Sequence, residues 1–232
     1  MSNTRPRILD PQAVPVVGTD HHLDAVDPSR LTSQSLRLRF AEARAWQPEI
    51  PGDTAQAGHD LTAASVLVPL VQRPDHLKVL LTQRSVHLRD HAGQIAFPGG
   101  RVEAEDADAV AAALREAEEE IGLPRSAVEV LGLLPYYTTV TNYIVTPVVA
   151  LVAPPFTLRL DSVEVAEAFE VPLDYLMTPA HHQRHEFEWQ GQRRQFLSMP
   201  WDGLDGDGRP RRWFIWGATA AMLRNLYGFL KA

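Results

Sequence analysis

The chain has 232 residues, a formal net charge of -7 and no cysteine. That length suits one sizeable core with appendages. The acidic balance supplies no basic blanket for a nucleic acid backbone, and the missing thiols exclude disulfide frameworks, thiolate catalysis and zinc–thiolate sites. No apolar run approaches the roughly 18 residues of a membrane span. Met1 to Asp20 is rich in Pro and polar residues and lacks the apolar stretch of a secretory signal. The sequence therefore reads as a soluble, cytoplasmic protein with no membrane and no nucleic acid partner.

In chain order, residues up to about Asp27 mix Pro11, Pro15, Gly18 and His21-His22 without periodicity, which suggests a mobile arm or a surface-draped segment. Asp27-Pro28 has the form of a helix start leading into Leu31 to Ala45, and a Pro/Gly-rich connector follows through Gly58. Ala63 to Val71 and Lys78 to Thr82 flank the turn Arg73-Pro74-Asp75 and predict a β-hairpin. An Ala/Glu-rich helix is expected over about Asp106 to Ile121, stopped by Gly122 and Pro124. Strand patterns recur at Val128 to Pro135, Ile144 to Val152, Ala166 to Val171, His185 to Trp189 and Arg194 to Met199, before a terminal amphipathic helix from Gly217 to Leu230. Strands on both sides of one central helix predict an α/β (α+β) sandwich, a mixed sheet between helices. The division expected is an arm, helix and linker over residues 1–60 and one folded domain over residues 61–232.

The central helix carries the chemistry. At about 100° per residue, Val110, Leu114, Ala117 and Ile121 fall within roughly 60° and form the expected buried stripe. Glu116 and Glu120 lie about 40° apart with Glu119 about 60° to the other side, so the spacing predicts three carboxylates facing away from the core. Arg115 projects beside Glu119 and can orient its carboxylate. Acids crowded into the last turns of a helix repel one another and oppose the dipole, and a hard divalent cation would compensate both effects.

Phe97-Pro98-Gly99-Gly100 precedes this helix, and Arg115-Glu116-Ala117-Glu118-Glu119-Glu120-Ile121-Gly122-Leu123 lies within and just past it. Together they resemble the box of the Nudix hydrolases, G-x5-E-x7-R-E-U-x-E-E-x-G-U with U apolar. The second half matches throughout. In the first half Asp106 stands for the Glu, and eight residues rather than seven precede Arg115, which reads as one extra loop residue and leaves the role of Asp106 open. The resemblance implies a Nudix-type α/β/α sandwich and Mg²⁺ or Mn²⁺ held by Glu116, Glu120 and Glu119. It also implies that the backbone of Gly99 and Gly100 lies near the phosphates, where the lack of a Cβ allows close approach.

Upstream, Leu80-Leu81-Thr82-Gln83-Arg84 runs through Arg89 and Gly93 to Phe97-Pro98-Gly99-Gly100. It is similar to L-L-T-x-R-S-x3-R-x3-G-x3-F-P-G-G of the coenzyme A diphosphatase branch of that family. What this implies is cleavage of coenzyme A, and of its acyl thioesters, to 3′,5′-ADP and 4′-phosphopantetheine, with Arg84 and Arg89 as guanidinium partners for substrate phosphates. Diphosphate hydrolysis also needs a base for the attacking water. Glu119 and the loop residue Glu164 are both candidates, with Arg115 as a supporting catalytic group. The alternatives left open are another nucleoside diphosphate derivative (NADH, ADP-ribose or a damaged nucleoside triphosphate) and a non-catalytic nucleotide-sensing module. A homodimer is the assembly expectation.

Overall fold

The computed structural model describes residues 8, 10–42, 46–53, 60–88 and 90–232. In chain order its elements are β1 (Val16–Thr19), α1 (Ser33–Ala41), β2 (Thr62–Gln72), β3 (Leu77–Arg84), β4 (Ile95–Ala96), β5 (Gly99–Arg101), α2 (Ala109–Ile121), β6 (Val128–Leu133) and β7 (Tyr137–Thr138). They continue with β8 (Tyr143–Val152), β9 (Val165–Pro172), α3 (Leu173–Leu176), β10 (Gln183–Trp189), β11 (Gln192–Leu204), β12 (Pro210–Trp216) and α4 (Gly217–Lys231).

The larger sheet runs β4-β3-β2-β8-β6, with β5 added to β2, β7 to β8 and β9 to β3. Its centre is the parallel pair β2 and β8, in register from Thr62 opposite Tyr143 to Val71 opposite Val152, while the flanking pairs are antiparallel. These central strands are apolar on both faces because both faces are covered. Leu67, Val71, Leu80, Val148 and Val152 pack on Ala113, Ala117 and Ile121 of α2. Their neighbours Val68, Leu70, Val79, Leu81 and Val149 point the opposite way, into the cluster that contains Leu223, Leu226 and Leu230 of α4. The expected mixed sheet between helices is what forms, and the predicted hairpin is β2–β3. Among the described residues no helix is long and apolar enough to cross a membrane.

A second, four-stranded antiparallel sheet runs β1-β10-β11-β12. Sequence patterning missed β12 and underestimated β11, and the segment read as a mobile or draped arm contains β1, paired with β10. The helix expected from Leu31 to Ala45 is shorter. A 3-10 turn, Pro28–Leu31, precedes it, Thr32 caps α1 by accepting from Ser35 N at 3.1 Å, and residues 43–45 lie outside the described set.

Charged side chains join this early segment to the end of the chain. Buried Arg224 of α4 meets Asp20 Oδ2 at 3.1 Å and Glu49 Oε2 at 2.6 Å, and Arg184 of β10 meets Asp20 Oδ1 at 2.6 Å. Asn225 accepts from Ile50 N at 3.0 Å and donates to Ile50 O at 2.7 Å.

Candidate active site

The site is assembled where β5 lies along β2 and α2 crosses above it. Gly99 pairs with Val66 and Gly100 with Ser65. Gly99 has φ +156°, and a Cβ there would overlap Ser65 O. A Cβ on Gly100 would overlap the carboxylate of Glu116. The glycines therefore let β5 dock on β2 and let an acidic side chain lie across the strand.

The helix is fixed at both ends. Asp108 accepts from Ala111 N at 2.8 Å, so α2 starts three residues later than the Asp106 expected from the pattern, and Ser65 Oγ ties its first turn to the sheet by donating to Ala109 O at 2.6 Å. At the other end Gly122 is left-handed at φ +65° and its N–H reaches Glu118 O at 3.0 Å, the stop that the sequence predicts.

Asp106 stays in the preceding loop, where it accepts from Glu103 N at 2.9 Å and takes Arg115 Nη2 and Nε at 2.9 and 3.1 Å. Arg115 also donates to Arg101 O at 3.0 Å, to Glu116 Oε1 at 3.1 Å and, as its spacing predicts, to Glu119 Oε2 at 2.9 Å. These bonds, the one to Asp106 foremost, raise the Arg115 pKa and keep it charged.

The expectation that all three carboxylates face away from the core is corrected here. Glu119 is open to solvent at 59% side-chain exposure, Glu116 is half-buried, and Glu120 is only 4% exposed. Glu120 is turned onto β5, accepting from Gly99 N at 3.1 Å, with Arg84 Nη1 3.5 Å from its other oxygen. Burial pushes its pKa up to about 7; the Gly99 N–H and Arg84 oppose the shift, and the charges of Glu116 and Glu164 add to it. Burial likewise raises Glu116, against the pull of Arg115. The apolar stripe is also rotated from the expected one, with Ala112, Ala113, Ala117 and Ile121 buried and Val110 and Leu114 only partly so.

Glu164 reaches the same place from another loop. Asp161 N donates to Glu120 O at 2.9 Å, Glu164 N donates to Asp161 O at 3.0 Å, and Glu164 O accepts from Ser85 N at 2.7 Å. That loop therefore hangs on the last turn of α2 and on the residue after Arg84. Glu167 is engaged elsewhere, with Arg211 at 2.9 Å and Trp213 Nε1 at 3.1 Å. Arg84 Nε is buried and has no acceptor among the described residues. Arg89 lies outside the described residues.

As the side chains stand, no three acidic or histidine groups among the described residues converge into a metal cage. Arg115 holds Glu116 and Glu119 while Gly99 and Arg84 hold Glu120. The donor set nevertheless fits a hard divalent cation. It is all oxygen, and two of its carboxyls, Glu116 and Glu120, are pushed toward the neutral form by burial and by the charge of neighbouring carboxylates, which a cation would reverse.

The NUDIX domain profile matches residues 61–190. The protein named Uncharacterized Nudix hydrolase NudL of Escherichia coli (strain K12) is 47% identical over 164 residues, 70% of this chain and 80% of its own. Its namesake in Salmonella heidelberg (strain SL476) is 42% identical over 202 residues, covering 87% and 96%. The solved Nudix hydrolase RenU from M. smegmatis aligns with a TM-score of 0.43 at 24% identity, over 53% of this chain and 78% of that one.

A sandwich that sets an acidic helix against a glycine strand, matched along the chain in this way, defines a pyrophosphohydrolase. The chain belongs to the Nudix family. Nudix hydrolases cleave diphosphate linkages in small nucleotide-derived substrates and generally use divalent cations such as Mg²⁺ or Mn²⁺.

Proposed function

We propose that the protein hydrolyses the diphosphate bridge of coenzyme A, and of its acyl thioesters, to 3′,5′-ADP and 4′-phosphopantetheine. One observation carries this reading. Within the segment that resembles the coenzyme A diphosphatases, Arg84, which precedes Gly99 by 15 residues, presents a buried Nε with no acceptor among the described residues, and its Nη1 stands 3.5 Å from Glu120. A phosphate oxygen would complete that guanidinium, placing an anionic substrate against the acidic helix.

Glu116, Glu119 and Glu120 are the residues that would hold Mg²⁺ or Mn²⁺. When bound, the cation neutralises charge on the two phosphates and favours ionisation of the attacking water. Gly99 and Gly100 leave room for the diphosphate beside β5. Arg115 is a positioning residue, fixing Glu116 and Glu119 from its anchor on Asp106. Glu119 or Glu164 takes the proton of the water. The water oxygen bonds to one phosphorus, the P–O–P bridge breaks, and the bridging oxygen leaves with the other phosphate.

Chromatography of the products after incubation with coenzyme A and Mg²⁺ or Mn²⁺ tests the reading. Release of 3′,5′-ADP is expected, with a loss of at least about a hundredfold in Glu120→Gln, the usual size of lost electrostatic stabilisation. A clear preference for NADH or ADP-ribose would end the substrate assignment. Binding without turnover at saturating Mn²⁺ would end the enzymatic one.

A further inference from the structure

Beside the acidic helix the surface changes character. Val86 follows Ser85 and Val163 precedes Glu164, and the bond from Ser85 N to Glu164 O, 2.7 Å long, brings these two loops together. Val86 is 67% exposed and Val163 70% exposed. A single exposed valine needs no explanation, but two on loops joined beside Glu120 and Glu164 put apolar surface at the lip of a polar site.

The lip is held firmly. Asp161 Oδ1 accepts from Val163 N at 2.8 Å, Asp161 N is bonded to Glu120 O on α2 at 2.9 Å, and Leu88 N closes the other loop onto Ser85 O at 3.3 Å. Val86 also lies over Gly93, with Cγ1 3.8 Å from where a Cβ on that glycine would stand. Val86 stands two residues past Arg84 on one loop, and Val163 immediately precedes Glu164 on the other. Because the Val163 loop is bonded to Glu120 and the Val86 loop begins at Arg84, a substrate group that meets the valines would lie close to the diphosphate.

We infer that Val86 and Val163 are specificity residues that receive a branched hydrocarbon group attached next to the diphosphate, and so favour it over a sugar at that place. The inference rests on the coenzyme A reading and deepens it. The pantoyl end of a pantetheine arm carries a quaternary carbon with two methyl groups one methylene away from the phosphate ester. ADP-ribose and NADH carry a hydroxylated ribose there. Covering two valines with methyl groups removes apolar surface from water, whereas covering them with ribose strips hydroxyls of water without giving them partners.

The test compares dephospho-coenzyme A with ADP-ribose, which share the adenosine diphosphate half and differ in the arm beyond it. kcat/KM is measured for both with Mn²⁺, on the parent protein and on the Val86→Ser, Val163→Ser double variant, and thermal melting shows that the variant is folded. The parent is expected to prefer dephospho-coenzyme A, and the double variant to lose roughly tenfold of that preference, the scale of a few methyl contacts in a selective pocket. Hydrolysis of dephospho-coenzyme A with an unchanged preference in the folded variant overturns the inference and leaves the proposed function standing. Failure of the parent to hydrolyse either coenzyme A or dephospho-coenzyme A overturns both.

Discussion

Glu120 Oε2 accepts the N–H of Gly99 at 3.1 Å, joining the last turn of α2 to the strand that passes beneath it. The bond explains how a carboxylate reaches 4% exposure on a helix whose neighbouring acids face water. The two glycines of that strand serve different ends. Gly99 permits the strand to dock and Gly100 permits Glu116 to lie across it, so substitutions at the two sites should separate stability from activity.

Gly99→Ala forces a Cβ onto Ser65 O at a backbone angle of +156° that L-residues rarely adopt. A loss of about 2 kcal/mol or more is expected, with activity lost alongside it. For Gly100→Ala the nearest atoms are those of the Glu116 carboxylate, the end of a side chain that can swing aside. Its melting temperature should stay near that of the parent while turnover falls by about ten- to a hundredfold, as misplaced catalytic groups commonly produce. Thermal melts and initial rates on the two proteins distinguish the outcomes; equal loss of stability in both would refute the division.

Arg115 engages Asp106, Glu116 and Glu119 at once, and only a planar fork can do so. Arg115→Lys keeps the charge and should still lower kcat by about tenfold or more, because one ammonium cannot hold three carboxylates in place. KM should change less than kcat, which steady-state kinetics would show. Asp106→Asn, which weakens the anchor of Arg115, should reproduce part of the defect.

How much of this was legible in the sequence follows from the range of the interactions. The C-terminal stop of α2 and the β2–β3 hairpin are local, and Gly122 and the turn after Arg73 announce them, whereas the N-cap Asp108 was missed. Arg115 reaching Glu119 is also local, one helical turn. Glu120 turning inward was not legible, since the helical wheel cannot see that Gly99 and Arg84, distant in sequence, stand at its side. Neither was β1, whose four residues are specified by pairing with β10 rather than by their own pattern. Asp106 as the anchor of Arg115 had a signal, an acid close to the position where the family box has a glutamate, but the extra loop residue obscured it.

Removal of divalent cations should abolish hydrolysis with little effect on the fold. The acidic side chains already have protein partners, Arg115 for Glu116 and Glu119 and Gly99 with Arg84 for Glu120. A chelator is expected to stop turnover, excess Mg²⁺ or Mn²⁺ to restore it, and the melting temperature to move by only a few degrees through ligand linkage. Unfolding on chelation would show instead that the cation is a structural element.

A pH dependence of stability follows from His182, fully buried where β10 meets α4. Its Nε2 lies 2.8 Å from Leu176 O, so that nitrogen carries the proton, and its Nδ1 accepts from Arg224 Nη1 at 3.0 Å. Both ring nitrogens are satisfied in the neutral form, and a second proton would point at a guanidinium. Burial first, with the Arg224 charge assisting and the Leu176 carbonyl and Asp20 opposing, depresses its pKa from 6.5 to about 4. The unfolded chain therefore binds the proton more readily than the folded one. The stability contributed is complete above about pH 6.5 and is lost as pH falls toward about 4, amounting to about 3 kcal/mol. Urea unfolding at a series of pH values should show this slope. His182→Gln, which can donate to the Leu176 carbonyl and cannot take up a proton, should be less stable at pH 7 yet show a shallower decline between pH 6.5 and 4. An equal slope in the variant would place the acid sensitivity elsewhere.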